Sequence, residues 1–128
     1  MTDGVWFVSC ERRRAISLAE LETRIAHLRE VQVSTEPDQL VLEVRDSRSG
    51  TIASIVVGLS GDPHVAVEAA EIAERLHRPD LQALDARYEL VFDLRLADEV
   101  YNTLVHVASA LEEACGAVVY DANEGSLR

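Results

Sequence analysis

The chain has 128 residues, 48% of them hydrophobic and 27% charged, with a net charge of −11. That length suits one domain whose core stands without disulfides or metal, and the acidity disfavours nucleic acid and anionic membranes as partners. All twelve basic residues are arginine, which excludes Schiff-base, pyridoxal-phosphate and Walker A chemistry, since each needs a lysine.

No apolar run approaches the ~18 residues of a membrane span. The opening Met-Thr-Asp-Gly-Val-Trp lacks the basic region and apolar stretch of a secretory signal, so a cytoplasmic location is expected. Arginine-rich, alanine-rich usage without lysine suggests GC-rich bacterial coding. Residues 65–128 carry thirteen acids against five arginines, whereas residues 1–64 carry ten against seven. The second half is therefore the more acidic and would steer a basic partner.

Val5 to Cys10 is a short run of β formers, apolar on both faces, and predicts an interior strand with Trp6 in the core. Glu11 to Arg14 reads as a solvated turn. Ser17-Leu-Ala-Glu20 has capping-box spacing, and Leu18, Leu21, Ile25 and Leu28 place a helix over 18–29. Val31 begins an extended segment that Glu36-Pro37-Asp38 interrupts with a turn. Leu40, Leu42 and Val44 alternate with Val41, Glu43 and Arg45 as a half-buried strand. A hairpin-type loop over 46–50 leads to Thr51–Leu59, apolar on both faces and read as a central strand.

Asp62 as N-cap and Pro63 at the first helical position predict a second helix to about His77. Val65, Ala69, Ile72, Ala73 and Leu76 form its buried face. Pro79 ends that helix, and 81–87 is open between a helical turn and a packed connection. Tyr88, Leu90, Phe92 and Leu94 alternate with Glu89, Val91, Asp93 and Arg95 in a strand with one charged face. A long helix from about Asp98 to Cys115 carries the stripe Val100, Leu104, Val107 and Leu111, and Gly116 stops it. Ala117–Tyr120 forms the last strand, 121–125 a turn, and the tail is expected to fray.

The expected fold is α+β: a two-layer sandwich in β-α-β-β-α-β-α-β order, with a mixed sheet of about five strands. Its first six elements have ferredoxin-like order. The last β-α-β implies a parallel, right-handed crossover.

No motif announces chemistry, and no cofactor or metal is expected. His64 and Glu68 have ligand spacing but no supporting pair, and His27, His77 and His106 stand apart. Cys10 and Cys115 form no C-x-x-C and read as buried, inert thiols. Asp121-x-Asn123-x-Gly125 fails as a calcium loop because its glycine comes one position early. Glu89 and Asp93 lie ~13 Å apart along a strand, too far for a two-carboxylate glycosidase. The Gly58–Asp62 turn before the second helix is the natural place for a ligand pocket, though Asp62 opposes an anion.

The segment Tyr88-Glu-Leu-Val-Phe-Asp, the helix from Glu99 to Ala114 and the ending Cys-Gly-Ala-Val-Val-Tyr-Asp121 together resemble the C-terminal part of small acidic immunity proteins of bacterial polymorphic-toxin and contact-dependent inhibition systems. The resemblance covers about a quarter of the chain, and its motif is mostly structural. It implies binding to one cognate toxin, without catalysis. Charge and expected exposure nominate Glu89, Asp93, Asp98, Glu99, Glu112 and Glu113 as partner-binding residues for a basic toxin or effector domain. A secretion chaperone and a ferredoxin-like ligand-binding regulatory domain are the alternatives, and the oligomeric state is open.

Overall fold

A computed structural model describes residues 3–128. Seven strands form one sheet in the order β2-β3-β4-β5-β1-β6-β7. They are β1 (Asp3–Cys10), β2 (Val31–Glu36), β3 (Gln39–Arg45), β4 (Ile52–Ser60), β5 (Ala86–Asp93), β6 (Val118–Asp121) and β7 (Ser126–Leu127). Every neighbouring pair is antiparallel. The helices are α1 (Leu18–Ile25), α2 (Pro63–Arg75) and α3 (Ala97–Cys115), with short 3-10 turns at Arg12–Arg14, Pro79–Ala83 and Leu94–Leu96.

The α+β class stands, but the expected sheet does not. It has seven strands rather than about five, it is antiparallel rather than mixed, and ferredoxin-like order does not describe it. Two segments account for the extra strands. Val31–Glu36 pairs with β3, and the Glu36-Pro37-Asp38 turn is the hairpin that joins them. The tail pairs with β6 instead of fraying. Arg128 ends it by donating to the Tyr101 hydroxyl at 2.8 Å and stacking over Trp6 at 4.4 Å. β5 and β6 do run parallel, as the last β-α-β required, but β1 lies between them and is antiparallel to both.

Strand alternation sorts the side chains onto two faces. The first face carries Trp6, Val8, Leu40, Leu42, Ile55, Val57, Tyr88, Leu90 and Phe92, and it packs with α1 and α3 into one buried core. Val100, Leu104, Val107 and Leu111 supply the α3 side. Full burial of such side chains stabilises by about 1.5–3 kcal/mol each. Gly4 is needed here because a Cβ would collide with the Phe92 ring. α3 ends at Gly116, whose φ of 63° is left-handed and whose amide donates to Glu112 O at 2.9 Å.

α2 lies on the opposite face, so the molecule is not the expected two-layer sandwich. Ala69 and Ile72 of α2 meet Ser9, Val118 and Tyr120 of the sheet across a small apolar gap. Val65 and Ala73 are the buried residues of α2.

Local chemistry explains the helix boundaries. Ser17 Oγ accepts from the Glu20 amide at 3.1 Å, which starts α1. The reciprocal half of the capping box is absent, since the Glu20 carboxylate turns to Arg24 at 3.4 Å. α1 stops at Ile25 rather than Arg29, as the chain reverses through Glu30 in a left-handed conformation with φ 60°. β5 begins at Ala86 and ends at Asp93. Leu94 and Arg95 therefore leave the strand, because Asp93 Oδ1 accepts from the Arg95 amide at 2.9 Å and caps the 3-10 turn that follows.

The arginine triplet is solvent-exposed, as expected, but two of its side chains are anchored. Arg12 reaches the Gly61 carbonyl, and Arg14 lies against Gly116 at the C-terminus of α3, where a cation favours the helix dipole. Arg13 is free of such anchoring and pairs with Glu11 at the surface.

Candidate protein-docking face

α2 leaves part of the second sheet face uncovered. Across it the register aligns Ser34, Val41, Val56, Val91 and Val5 in one row over five strands. The four valines are only half-buried. At ~4.8 Å between strands they form a stripe about 14 Å long. Alternation fixes what flanks it. Two residues away along the strands on one side stand Glu43, Ser54, Asp93 and Asp3; on the other stand Gln39, Gly58, Glu89 and Phe7, with Glu36 at the β2 end. An apolar stripe thus runs between two rows that carry carboxylates. Gly58 opens the surface further, since a Cβ there would meet nothing within 4 Å.

The boundary with α2 is built on Arg87. This arginine is 6% exposed. Its guanidinium stacks on Phe7 at 3.9 Å, pairs with Glu68 of α2 and stands 3.7 Å from Glu89. Its Nε has no hydrogen-bond partner among the described residues. Glu68 therefore serves Arg87, and not His64 as the helical spacing suggested.

The six nominated acids do not form one surface. Glu89 and Asp93 share the open face, and both are engaged within the chain. Arg95 grips Asp93 at 2.7 Å, and these hydrogen bonds hold its carboxyl below the usual carboxylate range. Asp98 and Glu99 lie in the first turn of α3, behind the sheet. Glu112 and Glu113 are near the other end of that helix, about 22 Å away at 1.5 Å per residue. Sequence reasoning missed Asp3, Glu36 and Glu43. Their signal was strand alternation together with pairing register, and only the alternation can be read from a sequence.

Asp98 and Glu99 instead help to line a cleft of about 650 Å³. Asn102, Thr103 and His106 continue its α3 wall, and Arg29, Arg45 and Arg48 stand on the other. The Gly58–Asp62 turn is partly filled by the Arg12 guanidinium at the Gly61 carbonyl.

Buried polar chemistry lies elsewhere. Cys10 and Cys115 are both free and buried, and the Tyr88 hydroxyl stands 4.0 Å from the Cys115 sulfur. Burial, then the neighbouring thiol, pushes Cys10 up to about 12, which suppresses the thiolate a nucleophile needs. Tyr88 is raised too, mainly by burial. Its hydroxyl accepts from the Ile16 amide at 2.8 Å and donates to the Ile16 carbonyl. Asp121 works as a turn former: its Oδ1 accepts from the amides of Asn123 at 2.9 Å and Glu124 at 3.2 Å.

Among the described residues no cluster of three or more His, Cys, Asp or Glu could hold a metal, and no helix is long and apolar enough to cross a membrane. No family model matches this sequence, and neither curated proteins nor solved structures gave a match.

Proposed function

We propose that this protein is a binding module without catalysis of its own, and that it acts as an immunity protein neutralising a basic bacterial toxin domain. One observation carries the reading: a half-exposed valine stripe bounded by carboxylates on a sheet face that α2 leaves open. Apolar contact at the centre of such a face supplies affinity, while the acidic rows steer and orient a cationic partner. The net charge of −11 extends that steering over the whole molecule. The resemblance of the Tyr88–Asp121 stretch to immunity proteins adds the toxin as the class of partner.

Capture from a native lysate, with the chain and its Val56→Arg variant side by side, tests the binding reading. The expected result is an equimolar, salt-sensitive complex with a basic protein that Val56→Arg weakens by at least about tenfold. Equal capture by both would remove the valine face from the interface. Growth arrest by the captured protein alone, relieved by co-expression of this chain, tests the neutralising role. A partner that is harmless alone overturns it.

A further inference from the structure

β2 is an outer strand of the sheet, with no strand beyond it among the described residues. Its hairpin register determines which of its backbone groups are free. Glu36 pairs with Gln39 next to the two-residue turn, then Ser34 with Val41 and Gln32 with Glu43. In such a hairpin the residues flanking the turn exchange both backbone hydrogen bonds, and every second pair repeats this. The Arg45 amide, which donates to Glu30 O at 2.9 Å, confirms the phase at the far end. Residues 32, 34 and 36 therefore bond inward to β3. The amides and carbonyls of Val31, Val33 and Thr35 point outward along the edge.

Within the strand itself this edge lacks the usual protection, and the one helix side chain bonded to it is the Glu22 carboxylate of α1, which accepts from the Thr35 hydroxyl at 2.9 Å. No proline, lysine or bulge interrupts Val31–Glu36, and its only charged residue is Glu36. An unblocked edge of six β-competent residues is a template for another strand. It is also continuous with the docking face, because Ser34 begins the valine row. The rows around the stripe cover roughly 250 Å² at strand spacings, well short of the roughly 800 Å² per partner of a standard interface. A partner must reach beyond the face, and β2 is the adjoining surface.

Charge selects the occupant. A second copy pairing antiparallel about Val33 would set Glu30 against Glu36 twice, on top of the repulsion between two chains of charge −11. A segment with cations at its ends would satisfy both glutamates.

We infer that β2 accepts an extended segment of the basic partner as an eighth strand, with β-branched residues facing Val31, Val33 and Thr35 and arginine or lysine near Glu30 and Glu36. The inference rests on the proposed binding reading and adds the mode of recognition: backbone hydrogen bonds along the edge, with charge at both ends.

Amide hydrogen exchange on the full chain tests it, with the synthetic peptide acetyl-Arg-Val-Thr-Val-Thr-Val-Arg-amide as probe. The peptide should slow exchange at Val31, Val33 and Thr35 by at least about tenfold and leave Gln32, Ser34 and Glu36 unchanged. Val33→Pro removes one outward amide without touching the bonds to β3, and it should abolish the protection at Val31 and Thr35; Val56→Arg should leave it intact. Should Val33→Pro fail to fold, the same peptide N-methylated at alternate amides must lose the effect on the unaltered chain. Peptide-independent protection of the three amides that grows with chain concentration would mean a second copy, and overturns the inference. So would their free exchange under saturating peptide. If the lysate complex forms while the peptide protects nothing, the edge is wrong and the binding reading survives; if the peptide protects while no basic partner is captured, the converse holds.

Discussion

The two faces of this sheet are built from the same strands and have opposite fates. On β5, Leu90 is fully buried under α1 and α3, while its neighbour Val91 looks onto the open face. On β4, Ile55 and Val57 are in the core while Val56 and Gly58 are not. One face is closed by two helices; the other has one helix over its β1, β5 and β6 end and half-buried valines beside it. Apolar residues left half-exposed in a row, rather than scattered, mark where a protein has kept surface for something else.

The contrast is broken most directly by truncating neighbours. Leu90→Ala should destabilise by about 3 kcal/mol through lost burial and a cavity, and Val91→Ala by under about 1 kcal/mol. Urea unfolding of both variants measures the difference, and equal losses would mean the second face is covered too.

The core face should also be the one that fails in alkali. The Cys10 thiol titrates near 9.0 when unfolded and is pushed up to about 12 when folded. The folded state then holds a proton that the unfolded state releases. Stability is fully present below about pH 9 and falls between the two values, at about 1.4 kcal/mol per pH unit for one group. Tyr88 works in the same direction. A pH series of urea midpoints should show this decline, and Cys10→Ala should flatten it.

The smallest effects separate the helices that serve the two faces. Ser17 caps α1 through its hydroxyl, so Ser17→Ala should cost about 1 kcal/mol. Asp62 occupies the N-cap of α2 but makes no side-chain cap bond, and Asp62→Ala should cost no more than about 0.3 kcal/mol. Thermal midpoints resolve the pair. A large loss at Asp62 would show that α2 is held more firmly than its contacts suggest.

How much of this was readable in the sequence depended on how many faces an element buries. β1 and β4 are apolar on both sides and are interior strands, as their runs implied. The α3 stripe and its Gly116 stop were equally plain. β2 was harder, because an edge strand needs only Val31 and Val33 on its core side, and Gln32, Ser34 and Thr35 blur the pattern. The side of the sheet that α2 occupies was not legible at all. An amphipathic helix declares that it has a buried stripe, not which face receives it. Arg87 was hidden for a related reason: its burial depends on Phe7 and Glu68, partners far away in the chain. The acids were picked by charge and local exposure, so those grouped by cross-strand register, Asp3, Glu36 and Glu43, were passed over.

The place of β1 bears on how the molecule comes to be made. Of the seven strands of this sheet it is the first to be synthesised, yet it lies between β5 and β6, which come much later in the sequence. Asn123 then ties that region back, accepting from the Val5 amide at 2.7 Å and donating to the Asp3 carbonyl at 3.1 Å. During synthesis β2, β3 and β4 are complete before either neighbour of β1 exists, so the apolar Val5–Cys10 stretch waits unpaired. Contacts so distant along the chain predict slow closure, and a nascent chain exposed to aggregation or chaperone capture until β6 is out.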